Sequence, residues 1–498
     1  MECAAVKSGR QGLGGEPFTF NESNLCTGSA DSLSAGYSER LPCCQADRLS
    51  ALPAEMIFVM TLTNQTLCSA RSLARRLTKF SHQWLVLFAM VLLTLTVSSC
   101  RQPPQFNGLW HGVIFLSEQE GDEMPFKIEL KKEGDQVSGA LVNGDERIPS
   151  TGGSWDGKNL KLRFDFYDGE LTAKLIRQEM IGEFTRQWQQ QTLTRRLKFW
   201  REAKNFNPPD HSGKNVSGEW LLHVGEGDKQ KVWRASFRQN GSDVTGTIIP
   251  VSGDWGVMTG NFYEGRLMLA RFDGINARTF RAVLRDDGSL EGAVDFGLPG
   301  SRTRKVTAEK VGAAAGDAKN AVPDPTTMTK LKNPAEPFRF SCADINGKTV
   351  SSTDAQFKNK VVIASITGSW CPNCHDEVKF LNELYDQYHA QGLEVVLLGF
   401  EYTGEVQRDR EQLRIFEQRH GVKYPVLLCG STAEGEIEQK LPQLTGFGAY
   451  PTTIFTGRDG LVKRIHAGFE GPATGERHTR LKAEMEELVK ALLHDKGE

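Results

Sequence analysis

Trp370-Cys371-Pro372-Asn373-Cys374 is the stretch of this 498-residue chain whose residue types and spacing could do chemistry. Two cysteines separated by two residues can trade a dithiol for a disulfide. The thiolate is the nucleophile in that exchange, so the surroundings decide which sulfur attacks. Residues 360–366 form an uninterrupted β-branched and apolar run, the pattern of a buried strand, and Thr367-Gly368-Ser369 reads as a turn. Pro372 suits a first helical turn, where its missing N–H would be unpaired anyway. Phe380, Leu381, Leu384, Tyr385 and Tyr388 then recur at helical spacing until Gly392. Cys371 is thus expected at a helix N-terminus, where free N–H groups and the helix dipole favour an anion and lower a thiol pKa. Cys371 is the expected attacking sulfur and Cys374, one turn further on, the resolving one.

Further elements must position this pair. The pattern predicts a strand over 393–400, a helix over 408–420 and a strand over 424–428. Pro451 stands at the mouth of another strand, a hairpin partner follows over 461–466 after Asp459-Gly460, and a helix closes the chain over 480–494. This order resembles thioredoxin. Over about 337–493 it is most similar to the extracytoplasmic thiol–disulfide reductases of the TlpA and ResA type. The likeness rests on Asp344-Ile345-Asn346-Gly347-Lys348, on Lys358-Asn359-Lys360-Val361-Val362, and on Glu377 three residues beyond the second cysteine. It implies an α/β thioredoxin-like domain with a redox-active Cys371–Cys374 disulfide. It implies a cis proline at Pro451 against the cysteines, and an acid–base role for Glu377. Trp370, Pro372 and Tyr450 would touch the substrate. Ser365 stands where thioredoxin itself has a buried Asp. A first-turn Glu can also serve only to stabilise the helix N-terminus, and that reading of Glu377 stays open. Two features depart from the family: Lys379 replaces a helix-kinking proline, and His375 directly follows Cys374, where an exposed helix position is expected.

Other uses of the cysteines fit less well. A zinc site would need a second Cys/His pair at suitable spacing, and Cys429 and His420 are far off in the motif order. Residues 371–375 match the Cys-x-x-Cys-His of c-type haem attachment literally, but the strand, the helix and Pro451 account for the same residues. Peroxiredoxin-type chemistry would need Thr and Pro where Gly368 and Ala364 stand. No metal and no cofactor is expected.

Basic residues Arg71, Arg75, Arg76 and Lys79 precede a short apolar run over 84–97, closed by Val97-Ser98-Ser99-Cys100. That is a secretory signal, too short for a membrane span, and its end resembles a bacterial lipobox. Residues 60–99 would be removed, leaving Cys100 as a lipidated N-terminus and 100–105 as a tether. An uncleaved anchor or an ordinary signal peptide is the alternative. Residues 1–59 read as a mis-assigned start or a disordered extension. The chain is therefore expected in a bacterial cell envelope, on the periplasmic side.

Residues 106–205 and 206–310 read as two repeated all-β domains, barrels or sandwiches, rich in short alternating runs and Gly turns. Four signals recur in order: Gly108-Leu109-Trp110 with Gly218-Glu219-Trp220, Gly134–Gly139 with Gly241–Gly246, Gly153-Ser154-Trp155 with Gly253-Asp254-Trp255, and Tyr167–Leu171 with Tyr263–Leu267. Residues 311–336 read as a flexible linker before the 337–498 domain. A net charge of −2 argues against nucleic-acid binding. Cys342 and Cys429 could pair or remain thiols. Two functions follow: a membrane-tethered oxidoreductase that reduces client protein disulfides and is re-reduced by a membrane electron donor, or a cell-envelope binding protein whose β domains hold a partner beside a redox-sensing unit.

Overall fold

The computed structural model describes residues 105–117, 122–188, 191–201, 213–297, 303–312 and 322–495. The expected signal segment and Cys100 lie outside the described residues. Among the described residues no helix is long and apolar enough to cross a membrane.

Period-two alternation builds the first β unit. In Glu123–Glu133, Met124, Phe126, Ile128 and Leu130 are buried while Lys127, Glu129 and Lys131 face solvent. Nine strands, from Gly108–Phe115 to Gln191–Trp200, form one sheet in which the first strand pairs with the last. Its edges are Glu146–Pro149 and Gly152–Trp155, and Trp110, Phe164, Phe184 and Phe199 lie in its core. The second unit is a closed barrel of eight strands, from Gly218–Val224 to Arg304–Lys310, around Trp220, Phe237, Phe262 and Phe280.

The two units therefore differ in closure, where like architectures were expected. In the barrel Asp243–Ile249 pairs directly with Met258–Tyr263. At the corresponding place in the first unit two short strands intervene, and they do not pair with each other. Local geometry at the matched positions nonetheless agrees. Trp110 and Trp220 each donate Nε1 to the carbonyl four residues earlier, at 2.9 Å in both units. Asp168 and Glu264 both adopt φ of 49° in the matched turns. Gly182 and Gly292 lie hard against the backbone of the neighbouring strand, opposite Ala173 and Ala282, where a Cβ would collide.

The C-terminal domain is a seven-stranded sheet in the order Thr349–Ser351, Ser341–Asp344, Val426–Ser431, Leu393–Glu401, Val361–Thr367, Thr452–Thr456, Val462–Ala467. The three strands Val361–Thr367, Leu393–Glu401 and Val426–Ser431 are mutually parallel, and Thr452–Thr456 runs antiparallel beside the first of them. Every residue of Val361–Thr367 and of Leu393–Glu401 is buried, as a sheet covered on both faces requires. Val361 and Ile363 point to one core, with Val378, Leu381, Leu384, Phe416 and Val489. Val362, Ala364 and Ile366 point to the other, with Phe340, Phe357 and Ile437. The helices are Pro372–Tyr388, Val406–His420, the short Glu436–Lys440 and Glu476–His494.

Cys342 and Cys429 form a disulfide that ties the edge hairpin to the strand beside it. The end of the expected flexible linker is docked rather than loose. The Pro325 carbonyl accepts from Ala467 N–H at 3.0 Å, and Lys330–Leu331 pairs with Leu444–Thr445.

Candidate active site

The buried strand Val361–Thr367 delivers the chain to the edge of the sheet, and a turn at Gly368–Trp370 places Cys371 as the N-cap of helix Pro372–Tyr388. The Cys374 N–H donates to Cys371 Sγ at 3.2 Å, so the sulfur takes the position of a capping acceptor. Cys371 and Cys374 are free thiols, 4% and 1% exposed. Burial, reinforced by the neighbouring Cys371, pushes the Cys374 thiol well up.

Trp370 locks the turn. Its Nε1 donates to the Phe400 carbonyl at 2.9 Å, its ring stacks on Tyr402 at 4.4 Å, and Tyr450 meets it edge-on at 4.8 Å. The Tyr450–Pro451 peptide bond is cis. Burial drives the Tyr450 hydroxyl well above its ordinary range. Pro372 occupies the first helical position.

Glu377 lies one turn inside the helix and is 1% exposed. Its carboxylate accepts from Ser365 Oγ at 2.5 Å and from Thr453 Oγ1. Burial pushes it up to about 7, against the opposing effect of those two hydroxyls. The side chain thus bridges strands Val361–Thr367 and Thr452–Thr456 under the cysteines. A carboxylate supplied from the helix thus reaches the strand position Ser365.

The structure adds residues that local pattern did not reveal. Glu401 ends the apolar strand Leu393–Glu401, is 1% exposed, and accepts from Ser369 N–H at 2.7 Å and Ser369 Oγ at 2.8 Å. Burial raises it to about 7. The strand carries a second buried acid, Glu394, so the sequence alone does not single out Glu401. His375, expected on an exposed helix face, is buried. Its Nδ1 lies 2.7 Å from His420 Nε2 and its Nε2 lies 2.8 Å from the Ser369 carbonyl. Desolvation lowers both rings, His420 to about 3. The His375 ring packs on Phe416 of its own domain at 4.7 Å and on Tyr167 and Phe166 of the first β unit at 5.2 and 6.3 Å.

Both β units pack on this face of the redox domain. Arg408 pairs with Asp168 at 2.8 Å, and the Arg419 guanidinium sits 3.7 Å over the Phe166 ring. Asn373, inside the Cys-x-x-Cys segment, donates Nδ2 to the Ser252 carbonyl at 3.1 Å. Gly253 forms a parallel bridge with Phe469, and the Asp254 carboxylate accepts from Gly471 N–H at 2.8 Å. Burial, with the nearby Asp376, raises Asp254 to about 6.

The Redoxin family model matches residues 319–480. The thiol-disulfide oxidoreductase ResA of Geobacillus thermodenitrificans is 29% identical over 129 residues, which are 26% of this chain and 66% of that protein. ResA of Bacillus anthracis is 29% identical over 133 residues, 27% of this chain and 68% of that protein. Among solved structures, a thiol:disulfide interchange protein DsbE from Chlorobium tepidum, described as putative, aligns at 20% identity with a TM-score of 0.26, covering 33% of this chain and 99% of that one.

Proposed function

We propose, from the premise that the C-terminal domain belongs to the TlpA- and ResA-like thiol–disulfide oxidoreductases of the thioredoxin superfamily, that this protein is a tethered extracytoplasmic reductase of client protein disulfides. The observation that carries the reading is the free Cys371–Cys374 pair at a helix N-terminus with Glu377 buried beneath it.

The Cys371 thiolate attacks one sulfur of a client disulfide. The client S–S bond breaks, a Cys371–client disulfide forms, and the departing client thiolate takes a proton. Cys374 then loses its proton and attacks Cys371 Sγ, which releases the second client thiol. The client gains two electrons, and the chain is left with a Cys371–Cys374 disulfide. Glu377, poised near 7, accepts the Cys374 proton and returns it when the pair is re-reduced. Trp370, Pro372, Tyr450 and Pro451 flank the reacting sulfurs and supply the client contacts. Re-reduction calls for a membrane electron donor, and Cys100 supplies a lipid anchor on the periplasmic side once the preceding segment is cleaved.

The likeness to ResA and the tether favour the reductase direction. On that reading, equilibration of the pair against glutathione gives a potential nearer about −270 mV than about −120 mV. A value at the oxidising end would overturn the reductase direction. We further read the two β units as diverged copies of one ancestral domain. The shared Trp110 and Trp220 hydrogen bonds and the shared close packing at Gly182 and Gly292 support that reading.

A further inference from the structure

We propose that the barrel turn Val251–Asp254, seated on Asn373 between the two cysteines, covers the approach to Cys371 and must leave before a protein client can bind. The inference rests on the oxidoreductase reading of that site and assigns it a built-in gate.

Four contacts put the segment there. The Ser252 carbonyl accepts from Asn373, between the two cysteines. Gly253, whose N–H closes a turn onto the Pro250 carbonyl at 3.1 Å, makes a single parallel bridge with Phe469, in a loop fixed to the Pro451 turn by Gly468 N–H donating to the Pro451 carbonyl at 2.7 Å. Asp254 accepts from Gly471 N–H. Gly468 lies so close to the segment that a Cβ there would stand 2.5 Å from the Val251 carbonyl. The Asn373 amide and the Gly471 N–H are thus already satisfied from within the chain, and Cys371 beside Asn373 is 4% exposed.

The fit depends on Gly253. Its φ is 110°, and a side chain there would run into Asn373 Nδ2 and the Phe469 carbonyl. The contact is tight at Gly253 and Asp254 but open on one flank. A cleft of about 1020 Å³ opens beside it, between Trp220 and Arg234 of the barrel and Phe469 and Arg477 of the redox domain. A segment held by a few hydrogen bonds at the rim of a cleft can leave without unfolding either domain. While it stays, the apparent affinity for a client falls by the fraction of molecules that are open.

Two variants test the gate from opposite sides in the full chain. Gly253→Val removes the fit on the barrel side. Gly471→Pro removes the N–H that Asp254 uses, at a residue whose φ of −76° proline adopts readily. The readouts are the rate at which reduced Cys371 reacts with a polymer-bearing maleimide and the rate of insulin disulfide reduction, with folding checked by circular dichroism. Each folded variant is expected to raise both rates about tenfold or more. Maleimide rates equal to the parent's in both folded variants would overturn the gate. If Gly253→Val fails to fold, Gly471→Pro decides alone. Maleimide modification needs no turnover, so it decides the gate even where insulin reduction fails and the oxidoreductase reading falls with it.

Discussion

Replacing Cys374 by alanine leaves the protein covalently joined to its clients through Cys371. The first attack needs only the Cys371 thiolate, whereas release needs a second thiol held one helical turn away, where Cys374 N–H already touches Cys371 Sγ at 3.2 Å. An intramolecular attack of that kind has a high effective molarity, and its loss slows resolution by on the order of 10³-fold or more. Cys342 and Cys429 are bonded to each other, so among the described residues Cys371 is the remaining thiol that can form the adduct. Non-reducing gels and mass spectrometry of Cys374→Ala should show client adducts that reductant releases. Recovery of the variant free of any adduct would refute the order of attack given to the two sulfurs.

Glu377→Gln separates the acid–base role from a merely structural one. If Glu377 moves the Cys374 proton, the variant reduces protein disulfides about 10²-fold more slowly near pH 7, and the inflection near 7 in the parent's pH–rate profile disappears. Glu377→Asp should restore part of the rate. Stability moves the other way. The folded chain holds the Glu377 proton to about 7 against an ordinary 4.5, so this contribution is fully present below about pH 4.5 and is lost as pH rises through 7. The loss is about 3 kcal/mol for a shift of that size. Urea unfolding at pH 8 should therefore find Glu377→Gln at least as stable as the parent, and the parent alone should gain stability on acidification through this site. A variant that is slower but keeps the inflection would assign Glu377 to the scaffold. Glu401, also near 7, contributes a parallel loss of stability that the variant retains.

Much of the redox domain could be read from local pattern. An apolar run ending in Gly-Ser-Trp-Cys-Pro defines a strand, a turn and a helix start with no help from the rest of the chain. The helix over 408–420 was foreseen to within two residues of Val406–His420. The helix phase also put Glu377 one turn inside Cys374, although its hydrogen bonds to Ser365 and Thr453 come from two separate strands. Features that depend on distant partners left no local trace. His375 looks like an exposed helix residue until Phe416 and His420 of helix Val406–His420 and Phe166 and Tyr167 of the first β unit close over it. The Cys342–Cys429 bond spans a sequence separation of 87, and its pairing comes from the sheet order, which brings their strands side by side. Asn373 and Ser252 are 121 residues apart, and Gly471 and Asp254 are 217 apart, so no periodicity could announce either contact. Alternation predicted β structure in both N-terminal units, but closure depends on whether short strands interrupt the ring, which the alternation does not specify.

The central claim is that Cys371 and Cys374 exchange electrons with a client disulfide. Cysteine mapping by mass spectrometry, after the reduced full chain has met a protein disulfide such as insulin's, tests it most directly. The expected result is one Cys371–Cys374 disulfide formed for each client disulfide lost, with Cys342–Cys429 unchanged. Client disulfides that persist while Cys371 and Cys374 stay free would contradict the account.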